Sequence, residues 1–122
     1  KKIFLDSLNF FLKKYYISII DIKRKKLNFN SRFDAKERTY HYRIINRFSN
    51  LVLEANKAWH VKKRLNINLL KKGAAILKGI HDFSTFRSSS CTANSPIKKI
   101  SSVKIKKNKD TILIEFKSKS FL

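Results

Sequence analysis

From Glu37 to Ile44 the chain changes character residue by residue, and this alternation constrains its folding more than any other feature. In an extended strand successive side chains point to opposite sides. Arg38, Tyr40 and Tyr42 therefore share one face, and Thr39, His41 and Arg43 share the other. The first face sets a guanidinium beside two phenols. Such a face suits a nucleic-acid base, with the cation holding phosphate and a ring stacking on the base. The same residues also fit a half-buried strand whose tyrosines only pack.

Charge narrows the choice of partner. The 122 residues carry 29 Lys and Arg against 8 Asp and Glu, a formal +21. Such an excess repels itself in the compact state and points to a polyanionic partner. The cations run from Lys1 to Lys119 rather than clustering in a tail, which favours a folded basic surface. An AT-rich genome would enrich the same lysines, but the sign of the partner is unaffected. Hydrophobic residues make up 43%, enough for a core in one domain of this length.

Methionine is absent, so Lys1 is not expected to be a native N-terminus, and 1–122 reads as a single partial domain. Cys91 is the lone cysteine, which rules out an internal disulfide and a multi-cysteine zinc site. No apolar run approaches the length of a membrane span. The apolar start Ile3-Phe4-Leu5 is interrupted too early by Asp6, Ser7 and Asn9 to be a signal peptide. A cytoplasmic protein without a membrane partner is the expectation.

Phe4, Leu8, Phe11, Leu12 and Tyr15 recur at helical spacing, which predicts an amphipathic first helix. Ile17 to Lys25 reads as a strand, Leu27 to Asp34 as a loop, and Glu37 to Ile45 as the alternating strand. Ala58 to Val61 reads as a short strand. Asn66 or Asn68 can cap a helix with the stripe Leu69, Ile76, Leu77 and Ile80. Gly73 and Ala74 would allow that helix a close approach, and Gly79 would end it. His81 to Pro96 reads as a serine-rich loop. Ile97 to Lys107 and Thr111 to Lys117 read as a hairpin turning at Asn108-Lys109-Asp110, with Ile112, Ile114 and Phe116 on one face. The order α-β-β-β-α-β-β predicts an α+β fold with a mainly antiparallel sheet.

No standard catalytic constellation stands out. There is no Gly-x-Ser-x-Gly elbow and no phosphate-binding glycine loop, and His41, His60 and His81 lack metal-ligand spacing. In His81-Asp82-Phe83-Ser84-Thr85-Phe86-Arg87, a functional reading makes His81 or Asp82 a catalytic group and Arg87 a phosphate contact. The favoured reading makes Asp82 a cap for loop amides, with Phe83 and Phe86 in the core. Arg87 is better placed for function, since it opens onto a polar loop. Trp59 reads as core and Cys91 as incidental.

Three blocks resemble the tRNA pseudouridine synthase A family, in the family's order. Arg32-Phe33-Asp34-Ala35 through Arg38-x-Tyr40-x-Tyr42 is similar to its "A-R-F-x-A-x-x-R-x-Y-x-Y" signature, with Ser31 for the first alanine. Ala74-x-x-Leu77-x-Gly79-x-His81-Asp82-Phe83-x-x-Phe86-Arg87 resembles "A-A-x-x-L-x-G-x-H-D-F-x-x-F-R", with Gly73 for the first alanine. Pro96-x-Lys98-x-Ile100 resembles "P-x-R-x-I"; its lysine keeps the charge but loses the bidentate fork. Asn66 stands where the family usually has a helix-capping aspartate.

The resemblance implies a pseudouridine synthase fold and isomerisation of uridine in the anticodon stem-loop of tRNA, with no cofactor and no metal, by a homodimer. It makes Tyr40 the platform for the target uridine and Arg32, Arg38, Arg87 and Lys98 RNA-binding residues. The family's nucleophilic aspartate lies in a "G-R-T-D-x-G-V-H" motif that none of the aspartates here matches, so it is expected upstream of Lys1. The chain also stops where the family continues into "M-V-R". A fragment inactive on its own is the expectation. The alternative is a non-catalytic, ribosomal-protein-like RNA-binding module, which has no reason to carry the His81-Asp82-Phe83 block.

Overall fold

The computed structural model describes residues 2–91 and 93–122, in two compact units that divide between Asp34 and Ala35. In the first unit α1 spans Lys2–Leu12. Leu5, Leu8 and Leu12 are half-buried, while Phe4, Phe11 and Tyr15 of the expected stripe are exposed. A 3₁₀ turn, Lys13–Tyr15, closes on Tyr16, which is left-handed at φ 57° and donates its N–H to the Lys13 carbonyl.

Ile17 to Lys25 is not a strand. β-propensity describes a fit to neighbouring strands, and here side chains rather than a neighbouring strand bond to the backbone of Ile19 and Ile22. The Asn9 amide donates to the Ile19 carbonyl at 2.9 Å and accepts from its N–H at 2.6 Å. The Asp21 carboxylate accepts the Ile22 N–H at 2.8 Å. The Leu27–Asp34 loop is as expected. Asn30 Oδ1 accepts the N–H groups of Arg32 and Phe33, and Asp34 returns a carboxylate to the Asn30 N–H.

The second unit is built on a five-stranded sheet. Its strands are β1 (Arg38–Ile45), β2 (Trp59–His60), β3 (Gly79–Asp82), β4 (Ile97–Asn108) and β5 (Thr111–Ser118), in the order β2-β1-β5-β4-β3. Only β1 and β2 are parallel. The α+β class and the hairpin stand as expected. Lys109, at φ 49°, supplies the left-handed residue of the two-residue turn.

The order of elements is corrected. One predicted strand, Ile17–Lys25, is missing, and an unpredicted one straddles the predicted helix end and the start of the predicted serine-rich loop, where β3 pairs with β4 from Gly79↔Ile100 to Asp82↔Ile97. Gly79 adopts φ 120°, a conformation that only glycine takes readily. It stops the helix and starts the strand.

The capped helix α2 spans Ile67–Leu77, and Asn66 Oδ1 accepts the N–H groups of Asn68 at 2.9 Å and Leu69 at 3.2 Å. Its inner row is Ile67, Leu70, Ala74 and Leu77, whereas Leu69 and Ile76 are exposed. The predicted stripe is thus right at Leu77 and out of phase at Leu69 and Ile76, and Ile80 belongs to β3. Nothing approaches the space a Cβ on Gly73 would fill, so close packing does not require that glycine.

Upstream of α2, Asn46 fixes the incoming chain. Its amide donates to the Val61 and Lys63 carbonyls, both at 2.8 Å, and accepts the Leu65 N–H at 3.0 Å. Ile44, Ile45, Ile100 and Ile112 form the buried core, with Ser118 as its polar member. The Ser118 hydroxyl lies 2.8 Å from the Lys99 carbonyl and 2.7 Å from that of Ser120. There β4 carries a bulge, since Ile100 faces Ser118 while Ser102 already faces Lys117. Among the described residues no helix is long and apolar enough to cross a membrane.

Candidate functional site

Register assigns each side chain of the central strands to a face. Tyr40 is opposite Phe116, Tyr42 opposite Ile114 and Ile44 opposite Ile112, so one face of the sheet (the front) is aromatic and aliphatic. On the back, His41 is opposite Glu115 and Arg43 opposite Leu113. The alternation read from the sequence is the alternation observed.

The front bears an open trough of about 360 Å³. That volume falls in the range of roughly 300–1,000 Å³ usual for small-molecule sites. Tyr40 and Tyr42 form one wall, Phe83 and Phe86 contribute from the loop after β3, and Trp59 and Phe121 also line it. Tyr40 meets Phe121 edge-to-face at 4.7 Å and 75°, and Tyr42 meets Phe116 at 5.7 Å and 87°. These contacts hold each phenol by its neighbour's ring yet leave Tyr40 48% exposed. The lining is apolar apart from the two tyrosine hydroxyls and the Trp59 indole N–H, so its chemistry is stacking rather than acid–base work.

Two expectations about aromatic residues are corrected. Trp59 is 69% exposed and Phe86 73% exposed, so neither is core; both stand on the trough. Residue 59 lies on the short edge strand β2, which offers packing on one side only. Phe121 was missed altogether, because a residue just past the last strand carries no periodic signal.

The polar residues near this face are tied to backbone. Asp82 accepts from the Ser84 hydroxyl at 2.5 Å and from its N–H at 2.8 Å. Those two bonds, the hydroxyl's first, hold its carboxyl below the usual aspartate value. This is the expected local cap. His81 Nε2 lies 3.1 Å from the Lys78 carbonyl, and its ring meets Phe83 edge-on. Arg87 donates to the Ala93 carbonyl at 2.5 Å and the Cys91 carbonyl at 3.4 Å, which folds the polar loop around its guanidinium. Arg38 donates to the Lys119 carbonyl, joining the start of β1 to the chain just after β5. Lys98 is half-buried opposite His81. Arg32 lies in the first unit, its guanidinium 5.8 Å from the Phe33 ring centre. Among the described residues no group of three His, Cys, Asp or Glu is arranged to hold a metal.

The trough thus joins two blocks that are far apart in sequence, Tyr40-x-Tyr42 and Phe83-x-x-Phe86. Comparison with known proteins finds relatives that match nearly the whole chain, both blocks included in the matched span. A protein of Pelagibacter ubique named tRNA pseudouridine synthase A is 50% identical over 118 residues, 97% of this chain and 48% of the relative. Over nearly its whole length the chain is similar to proteins of the tRNA pseudouridine synthase A family. Proteins of the same name from Ehrlichia chaffeensis and a Caulobacter species are 38% and 37% identical, over 96% and 97% of the chain and 48% and 47% of the relatives. A family profile described as tRNA pseudouridine synthase matches residues 74–122, which include α2 beyond its first turns and the strands β3 to β5. The chain spans about half the length of the curated relatives it matches.

Proposed function

We propose that this chain supplies the substrate-side wall of a tRNA pseudouridine synthase, acting on uridine in the anticodon stem-loop. The observation that carries the proposal is the convergence of Tyr40, Tyr42, Phe83 and Phe86 on one open aromatic trough. The names of the relatives point the same way. In the reaction the base is detached from its ribose at nitrogen and rejoined through a ring carbon. That carbon gives up a proton and the nitrogen takes one up, so substrate and product are isomers and nothing is consumed. The covalent step is assigned to an aspartate outside these residues.

The wall's task is to receive a base taken out of its stack. Extruding a nucleotide costs a few kcal/mol, which a stacking platform in the site offsets. Tyr40 is assigned that role, since its ring is held edge-on by Phe121 and remains half exposed. Arg32, Arg38, Arg87 and Lys98 are assigned to phosphates. Arg38 and Arg87 are each anchored to a backbone carbonyl, which fixes the position of the guanidinium. A homodimer working in the cytoplasm is part of the same proposal, carried by the family resemblance.

The test is pseudouridine mapping of tRNA treated with the full-length protein and with its Tyr40→Ala variant. Loss of turnover with an unchanged melting temperature is expected, and near wild-type turnover would sink the assignment. The 122 residues alone should form no pseudouridine. Conversion by them alone would place the nucleophile within this chain.

A further inference from the structure

The back of the sheet is as distinctive as the front. Along β1, β5 and β4 it presents Thr39-Lys117-Ser102, His41-Glu115-Lys104 and Arg43-Leu113-Lys106 as successive cross-strand rows. Arg43, Lys104 and Lys106 are exposed. The acids there are already engaged by bases. Glu115 lies 3.0 Å from His41 Nε2, and Glu37, just before β1, lies 3.5 Å from Lys117 Nζ. These three rows contain no phenyl, phenol or indole ring.

We propose that this back face is a second RNA-contacting surface, which grips the phosphate backbone while the front handles a base. Charge and spacing both fit. Lys104 and Lys106, two residues apart on one strand, stand about 6.8 Å apart, and Arg43 and Lys106 flank Leu113 at about 9.6 Å. This grid of cations matches a polyanion. With no phenyl, phenol or indole ring, and its one imidazole held by Glu115, it suits gripping phosphates rather than stacking on bases. A second copy of this chain fits poorly, because it would set these cations against their own kind. An apolar partner would find only Leu113. The inference rests on the reading that the chain handles RNA, and it adds a surface outside the trough.

The test is binding of a fluorescently labelled tRNA transcript to this chain across a salt series. Each phosphate contact contributes about 0.9 to the slope of log affinity on log salt. The triple variant Arg43→Ala, Lys104→Ala, Lys106→Ala should lose about 2 to 3 from that slope and bind about tenfold or more weakly near 0.1 M salt. Glu115→Gln should act in the opposite direction and tighten binding about twofold, by removing the acid at the centre of the grid. General structural damage would weaken binding in both variants. If the triple variant fails to fold, Glu115→Gln decides alone: tighter binding supports the surface, and unchanged or weaker binding overturns it. A triple variant with the wild-type slope also overturns it, whether or not it changes the chain's oligomeric state. A wild-type chain that binds no RNA would sink the RNA reading and this inference together.

Discussion

The two faces of one sheet, built from the same three strands, carry opposite chemistries. On the front Tyr40, Tyr42, Ile114 and Phe116 make an apolar trough; on the back Arg43, Lys104, Lys106 and Lys117 make a solvated cationic grid. Neighbouring residues thus serve different ends, as where Tyr42 faces the trough and Arg43 faces water. A period of two lets a short stretch of sequence encode a stacking surface and an electrostatic surface at once. RNA is an apt partner for such a sheet, having flat apolar bases and a charged backbone.

That contrast can be broken in order of expected effect. Tyr40→Ala should have the greatest consequence, lowering turnover of the full-length protein by up to about 10²-fold, since stacking is worth about 1–3 kcal/mol per base. Stability should separate the faces next. Ile112→Ala empties a fully buried front-face position and should cost about 2–5 kcal/mol in urea denaturation. Lys106→Ala, on the exposed back, should change stability by less than about 0.5 kcal/mol. Equal losses from the two would show that the faces are not energetically distinct. Asn66→Ala should cost about 1 kcal/mol, because α2 packs beside β4 and its first turn loses two cap bonds.

The smallest effect is one of pH on the back face. The hydrogen bond with His41 is the main cause that holds the Glu115 carboxyl below its ordinary value of 4.5; burial opposes it, and the charges of Lys117, Lys104 and His41 add smaller lowering effects. A lowered folded-state value means that this contribution is fully present above about pH 4.5 and is lost as pH falls through the lowered value. Glu115→Gln should therefore lower the melting temperature slightly near pH 6 and not at all near pH 2. A difference that persists at the acid end would have another cause.

How much of this was legible in the sequence depended on whether the information was local. The alternation at Arg38–Ile45 gave both faces correctly, because β5 lies alongside in register. Ile17–Lys25 has comparable β character, but the Asn9 amide takes the place of a neighbouring strand. Nothing in the segment itself separates the two cases. In α2 both Leu69 with Ile76 and Leu70 with Leu77 satisfy a helical period, so only the packing against β4 sets the phase. The two motif blocks announced that Tyr40 and the Phe83–Phe86 stretch matter. That they share a trough, with Phe121 and Trp59 completing it, depends on chain contacts far apart in sequence.

The bulge near Ser101 acts as a frame-setting device for the strand that follows. Ahead of it the even-numbered Ile100 lies on the front; beyond it the odd-numbered Val103 and Ile105 do, opposite Phe116 and Ile114. One residue more or less at this point would trade Val103 and Ile105 for Lys104 and Lys106. Lysines would be driven under α2 and valine and isoleucine turned out to water. A single codon in a stretch with no chemistry of its own thus keeps the apolar text and the cationic text of β4 from being read on the wrong sides.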